Sequence, residues 1–163
     1  MSEAETRADL PLVSLVVCTR NRAEKLEAFF AALGRVHARA PWELVIVDNG
    51  SLDDTQVRLQ SLSRSVDVRT TIVGEPRRGL GRARNTGVAA ARGALLAFTD
   101  DDCYPAVDYI DRVVEAFASP DRAYIGGRIL LYDDDDHPIT IRVDDSPIPI
   151  PPYSVVPTGL VQG

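Results

Sequence analysis

Ala94-Leu95-Leu96-Ala97-Phe98-Thr99-Asp100-Asp101-Asp102 runs an apolar stretch straight into three carboxylates. A short apolar run bounded by polar residues reads as a buried strand. Three negative charges at the end of such a strand repel one another and need cations or hydrogen-bond donors. Mg²⁺ or Mn²⁺ meets that need, because hard divalent ions bind through one or two carboxylates together with substrate phosphates. The stretch therefore points to a metal-bound, phosphate-bearing ligand. An Asp run also occurs as a solvated loop or a helix cap, so the weight rests on the chain around it.

Upstream, Leu12-Val13-Ser14-Leu15-Val16-Val17-Cys18 reads as a buried strand, broken by Thr19-Arg20-Asn21-Arg22. The spacing of Leu26, Phe29, Phe30 and Leu33 predicts a helix over residues 23–38. Residues 43–47 form a second strand that leads into Asp48-Asn49-Gly50-Ser51. Ser51 or Asp53 caps a helix carrying Val57, Leu59 and Leu62. A weaker strand over 68–73, a loop Glu75-Pro76-Arg77-Arg78-Gly79 and a small-residue helix over 80–91 follow. Beyond the aspartates come an amphipathic helix over 107–118 and an apolar stretch, 123–132, expected to be a fifth strand.

Strand–helix alternation implies an α/β fold, a mostly parallel sheet flanked by helices. Ligands in such sheets bind beyond the carboxyl ends of strands. Thr19-Arg20-Asn21, Asp48-Asn49-Gly50-Ser51 and Asp100-Asp101-Asp102 all fall at such ends, so three polar clusters converge on one edge.

With 163 residues, 45% hydrophobic and 26% charged, the chain has the size and composition of one globular domain. A net charge of −6 argues against a nucleic-acid binder, which would show a basic face. Cys18 and Cys103 make neither a disulfide framework nor a zinc site. No apolar run spans a membrane and residues 1–9 lack a signal pattern, so a cytoplasmic location is expected, with peripheral membrane association compatible. After Tyr132 the character changes: Asp133-Asp134-Asp135-Asp136 reads as a solvated loop, and residues 146–157, with five prolines, as a non-helical segment.

Arg77, Arg78, Arg82 and Arg84 crowd two glycines at the start of a predicted helix. Helix-start N–H groups and arginine side chains suit a diphosphate. Gly79-x-Gly81 is not a dinucleotide fingerprint, because Arg84 stands where the third glycine belongs. Asp48 could accept a hydrogen bond from a base N–H or close its own turn, and Thr19 could contact a base or ribose or simply end its strand.

Four motifs in order, Val16-Val17-Cys18-Thr19-Arg20-Asn21-Arg22, residues 45–55, Gly79 through Arg84-Asn85-Thr86-Gly87, and Phe98-Thr99-Asp100-Asp101-Asp102, resemble the nucleotide-sugar-binding half of family 2 glycosyltransferases with the Rossmann-like GT-A fold. The resemblance covers roughly residues 12–132. It implies that Thr19 and Asp48 line a base pocket with Asn21 beside them, and that Arg84 lies near the base or diphosphate. Asp100 would face ribose or sugar and share the Mn²⁺ or Mg²⁺ with Asp102. Asp101 would belong to the substrate-binding group, its own contact open. Gly126-Gly127 would lie near the donor sugar. The implied reaction is transfer of a sugar from a nucleoside-diphosphate sugar to an acceptor hydroxyl, with inversion and a carboxylate base.

The family's base lies further downstream, and no residue here matches it. The expected organisation is a tail (1–11), a donor-binding domain (12–132) and a segment (133–163) leading into an acceptor half for a saccharide, lipid or protein, the fold being truncated at the C-terminus. A catalytically incomplete nucleotide-diphosphate-binding or scaffold protein is the alternative. A sugar nucleotidyltransferase would want glycines after the first strand, where Cys18-Thr19-Arg20-Asn21 has none.

Overall fold

The computed structural model describes residues 10–119, 121–135, 137, 143, 146 and 148–150. Four segments form strands β1 (Val13–Thr19), β2 (Trp42–Asp48), β3 (Arg69–Gly74) and β4 (Leu95–Asp100). Between and after them lie helices α1 (Leu26–Leu33), α2 (Thr55–Leu62), α3 (Leu80–Ala90) and α4 (Tyr109–Ala116). The chain divides into two compact units, Met1–Glu115 and Ala116–Gly163, and the first holds the sheet.

All strand pairs are parallel, in the order β3-β2-β1-β4. The chain steps outward from β1 to β3, then crosses to the other side of β1 to lay down β4. The direction of winding reverses between β1 and β4, which makes their carboxyl ends the crevice where such sheets bind ligands. Register levels those ends: Thr19 faces Asp48, and Cys18 faces both Val47 and Asp100.

β1 and β2 are central and apolar on both faces, as parallel strands covered by helices must be. On one face Leu15, Val17, Leu44 and Ile46 join Leu26, Phe29 and Phe30 of α1, Leu59 of α2 and Ile110 of α4 in one buried cluster. Each such side chain contributes about 1.5–3 kcal/mol relative to exposure. On the other face α3 presses so close that a Cβ on Gly87 would collide with Val16 Cγ1. Leu96 and Phe98 of β4 remain exposed.

At the amino end of the sheet Glu43 is fully buried. Its Oε1 accepts from Ser14 Oγ at 2.6 Å and from the Arg92 N–H at 2.7 Å, while the Gly93 N–H donates to Ser14 Oγ at 2.8 Å. This knot secures the turn from α3 into β4. Glu43 Oε2 has no hydrogen-bond partner among the described residues.

Helix α1 is shorter than its apolar spacing predicts. Residues before it form a turn in which the Arg22 carbonyl accepts the N–H groups of Lys25 and Leu26, and Gly34 closes it by donating to Phe30 O at 2.9 Å. Val57 of the expected α2 stripe faces solvent, whereas Leu59 is buried. The expected fifth strand over 123–132 does not form: only Ile129 makes an isolated bridge. An apolar pattern supplies side chains for a strand but not the neighbouring ladder that must take its N–H and C=O groups. Among the described residues no helix is long and apolar enough to cross a membrane.

Candidate donor and metal site

The carboxyl ends of β1 and β4 enclose a cavity of about 360 Å³, lined by Cys18, Thr19, Arg20, Arg22, Asn49, Leu80, Asp100, Asp101 and Asp102. The three aspartates do not behave alike. Asp101 is only 7% exposed and turns into the protein, where Thr19 Oγ1 donates to its Oδ2 at 2.5 Å and Arg22 Nε lies 3.4 Å from its Oδ1. Burial raises its carboxyl above the ordinary value, while the Thr19 hydrogen bond and Arg22 oppose the rise.

Asp100 and Asp102 have side chains 53% and 55% exposed. Each offers an oxygen that, with Cys103 Sγ, forms a group of three donor atoms within 4.8 Å of one another. β4 ends at Asp100 and the chain turns at Asp101-Asp102, the Cys103 N–H donating to Asp100 O at 3.1 Å; this turn leaves Asp101 inward beneath Thr19 and Asp102 open. Treating the triplet as one acidic unit misses this split.

The donor set suits a hard divalent cation, with two open carboxylates and room for phosphate oxygens. Burial first, and then Asp100 and Asp102, raise the Cys103 thiol. Arginines flank both carboxylates. Arg22 NH2 donates to Asp102 Oδ2 at 2.8 Å, and Arg84 NH2 lies 3.8 Å from Asp100 Oδ1.

Asp48 lies at the level of Thr19 on the neighbouring strand, and its Oδ1 accepts from the Ser51 N–H at 3.0 Å. Asn21, at φ 52°, binds the two loops together: its N–H donates to Ser51 Oγ, and its Oδ1 accepts from the Leu52 N–H. Neither Asp48 nor Asn21 lines the 360 Å³ cavity. Asn21 instead borders a larger recess of about 580 Å³, together with Lys25, Asp53 and Asp54. That recess is walled by exposed charges and contains none of the β4 carboxylates.

Sequence reasoning brought Asn49 to this edge only as a turn residue and singled out neither Arg22 nor Glu75. Asn49 Nδ2 donates to the carbonyls of Glu75 and Arg77, and its Oδ1 accepts from the Gly79 N–H, so one amide shapes the whole loop before α3. Buried Glu75 fastens the same loop through the Arg77 N–H and guanidinium and through Thr86 Oγ1. These bonds, the Arg77 side chain first, hold the Glu75 carboxyl down at about 2. Nothing in the local pattern marks Asn49 as more than a turn residue, because its partners are backbone groups 26–30 positions away.

Sheet order, switch-point crevice and acidic turn together define a GT-A fold. Residues 14–153 match the family model for glycosyl transferase family 2, and the chain belongs to that family. Glycosyltransferase AglE of Haloferax volcanii is 31% identical over 121 residues, covering 74% of this chain and 40% of that protein. The mannosyltransferase PcManGT of Pyrobaculum calidifontis, solved in complex with GDP-Man and Mn²⁺, superposes with a TM-score of 0.61 at 30% identity, covering 68% of this chain and 33% of that one. TarS 1–349 of S. aureus, solved with UDP-GlcNAc, shares the fold with a TM-score of 0.54 at 24% identity, over 63% of this chain and 30% of that one. The chain thus spans well under half the length of these relatives.

Proposed function

We propose that this chain supplies the donor site of a metal-dependent glycosyltransferase that moves a sugar from a nucleoside-diphosphate sugar to an acceptor hydroxyl, with inversion. The observation that carries this reading is the pair of open carboxylates, Asp100 and Asp102, held together at the switch-point crevice with arginines beside them. Family membership supports it, as does the Mn²⁺ and GDP-Man of PcManGT.

Asp102 and Asp100 would hold Mn²⁺ or Mg²⁺, which as a Lewis acid supplies charge stabilisation on the departing nucleoside diphosphate. Arg84, 3.8 Å from Asp100, would meet the diphosphate, and Asp100 would also face the ribose or sugar. Asp48 and Thr19 line the base end, Thr19 through its backbone, since its hydroxyl is taken by Asp101. Asp101 serves the substrate site from beneath, and Asn21 keeps the two loops at its rim in place.

Residues 12–132 would be the donor-binding domain, with residues 1–11 a tail and 133–163 leading towards the part that binds a saccharide, lipid or protein acceptor. The general base is assigned to no residue of this chain. A cytoplasmic setting suits the donor, and peripheral membrane contact suits a lipid acceptor. Calorimetric titration of UDP, GDP and dTDP, each with and without Mn²⁺, tests the reading. At least one nucleotide is expected to bind, and more tightly with metal; a folded chain that binds none of the three overturns it.

A further inference from the structure

We propose that Arg22 is a counter-ion shared between Asp102 and an incoming diphosphate, and that it makes cation binding depend on nucleotide; the inference rests on the donor-site reading above. Arg22 is fixed at the entry to α1. Its N–H donates to the buried Thr55 Oγ1 at 2.8 Å, and its carbonyl accepts from the Lys25 and Leu26 N–H groups at 2.8 and 3.2 Å. From that anchor the side chain, 32% exposed, crosses to the acidic turn. Nε lies 3.4 Å from Asp101 Oδ1, and NH2 donates to Asp102 Oδ2 at 2.8 Å.

The two contacts differ in what can replace them. Asp101 is held from the far side by Thr19 and stays where it is. Asp102 is open to solvent, and the guanidinium sits on the same carboxylate that a cation would use. A positive charge there opposes a bare divalent ion. A diphosphate offers the planar guanidinium another multidentate anionic acceptor and offers the cation further oxygens. Metal and nucleotide then favour each other through one side chain, and by linkage the coupling is reciprocal. Arg84, at 3.8 Å from Asp100, makes a looser version of the same contact.

The full chain would be titrated with Mn²⁺ alone, following the electron paramagnetic resonance signal of the free ion, as wild type and as Arg22→Gln, Arg22→Met and Arg22→Lys. Removing the charge is expected to tighten bare Mn²⁺ binding about threefold to fivefold, the scale of a half-exposed ion pair. Arg22→Lys should stay near wild type. The gain in UDP, GDP or dTDP affinity on adding Mn²⁺ should shrink by a similar factor in Arg22→Gln and Arg22→Met. Met keeps the apolar stem, so it reports should the Gln variant fail to fold. Bare Mn²⁺ binding that is unchanged or weaker in a folded charge-removed variant overturns the shared counter-ion alone. Wild type that binds no Mn²⁺ with any of the three nucleotides overturns the donor-site reading, and this inference with it.

Discussion

The two ends of the sheet each gather carboxylates, and they hold them differently. At the amino end Glu43 is sealed in, its Oε1 taken by Ser14 and by the backbone N–H of Arg92. At the carboxyl end Asp100 and Asp102 are half exposed, and their partners are the side chains of Arg84 and Arg22. Backbone donors locked in a turn cannot be exchanged for a ligand, whereas guanidinium groups on flexible stems can. The difference teaches that negative charge at a strand end does not by itself mark a site. The proposed site lies where the partners of that charge can leave.

If the amino end is purely structural, disturbing it should cost stability and spare binding. A Cβ on Gly93 would lie 2.6 Å from Ser14 N and 2.8 Å from Val13 C, both backbone atoms. Gly93→Ala is therefore expected to lose about 3 kcal/mol in denaturant unfolding, with nucleotide affinity of the folded protein unchanged. Wild-type stability would break the comparison.

The converse holds at the carboxyl end. Asp102→Ala should lose about tenfold to a hundredfold of the Mn²⁺-dependent part of nucleotide binding, at least what loss of an outer partner of a metal costs. Its unfolding midpoint should stay near wild type, because the carboxylate is exposed. Unchanged metal dependence in the titration would remove Asp102 from the ligand set.

A smaller effect sharpens the boundary between the ends. Glu75 titrates at about 2 when folded, below its ordinary 4.5, so its contribution is complete above pH 4.5 and is lost as pH falls towards 2. Thermal unfolding across that window should show a shallower decline for Glu75→Gln than for wild type. Identical profiles would mean that the loop bonds are not felt in global stability.

Much of this organisation is legible in the chain. The apolar runs of β1, β2 and β4 stop abruptly at Thr19, Asp48 and Asp100, and periodicity alone brings their polar successors to one edge. The strand order is not legible locally, since nothing in β4 says that it pairs with β1 rather than with β3. Nor is the brace built by Asn49, whose partners come from another loop. The stretch over 123–132 misled because pattern reports what a segment could bury, not what stands beside it. The Asp triplet is an intermediate case: its acidity is evident from composition, but the burial of Asp101 depends on the turn after β4 and on the tertiary hydroxyl of Thr19.

The placing of one acid inward and its two neighbours outward makes the chain sensitive to a particular kind of genetic change. Substitutions in the loops can retune the pocket while β4 keeps its register against β1. Losing or gaining one codon inside β4 is different, because a shift of one residue exchanges the two faces of a strand. The anchored acid would swing outward and an open one would be driven inward beneath Thr19. The length of this six-residue strand therefore decides which of the three acids lies beneath Thr19.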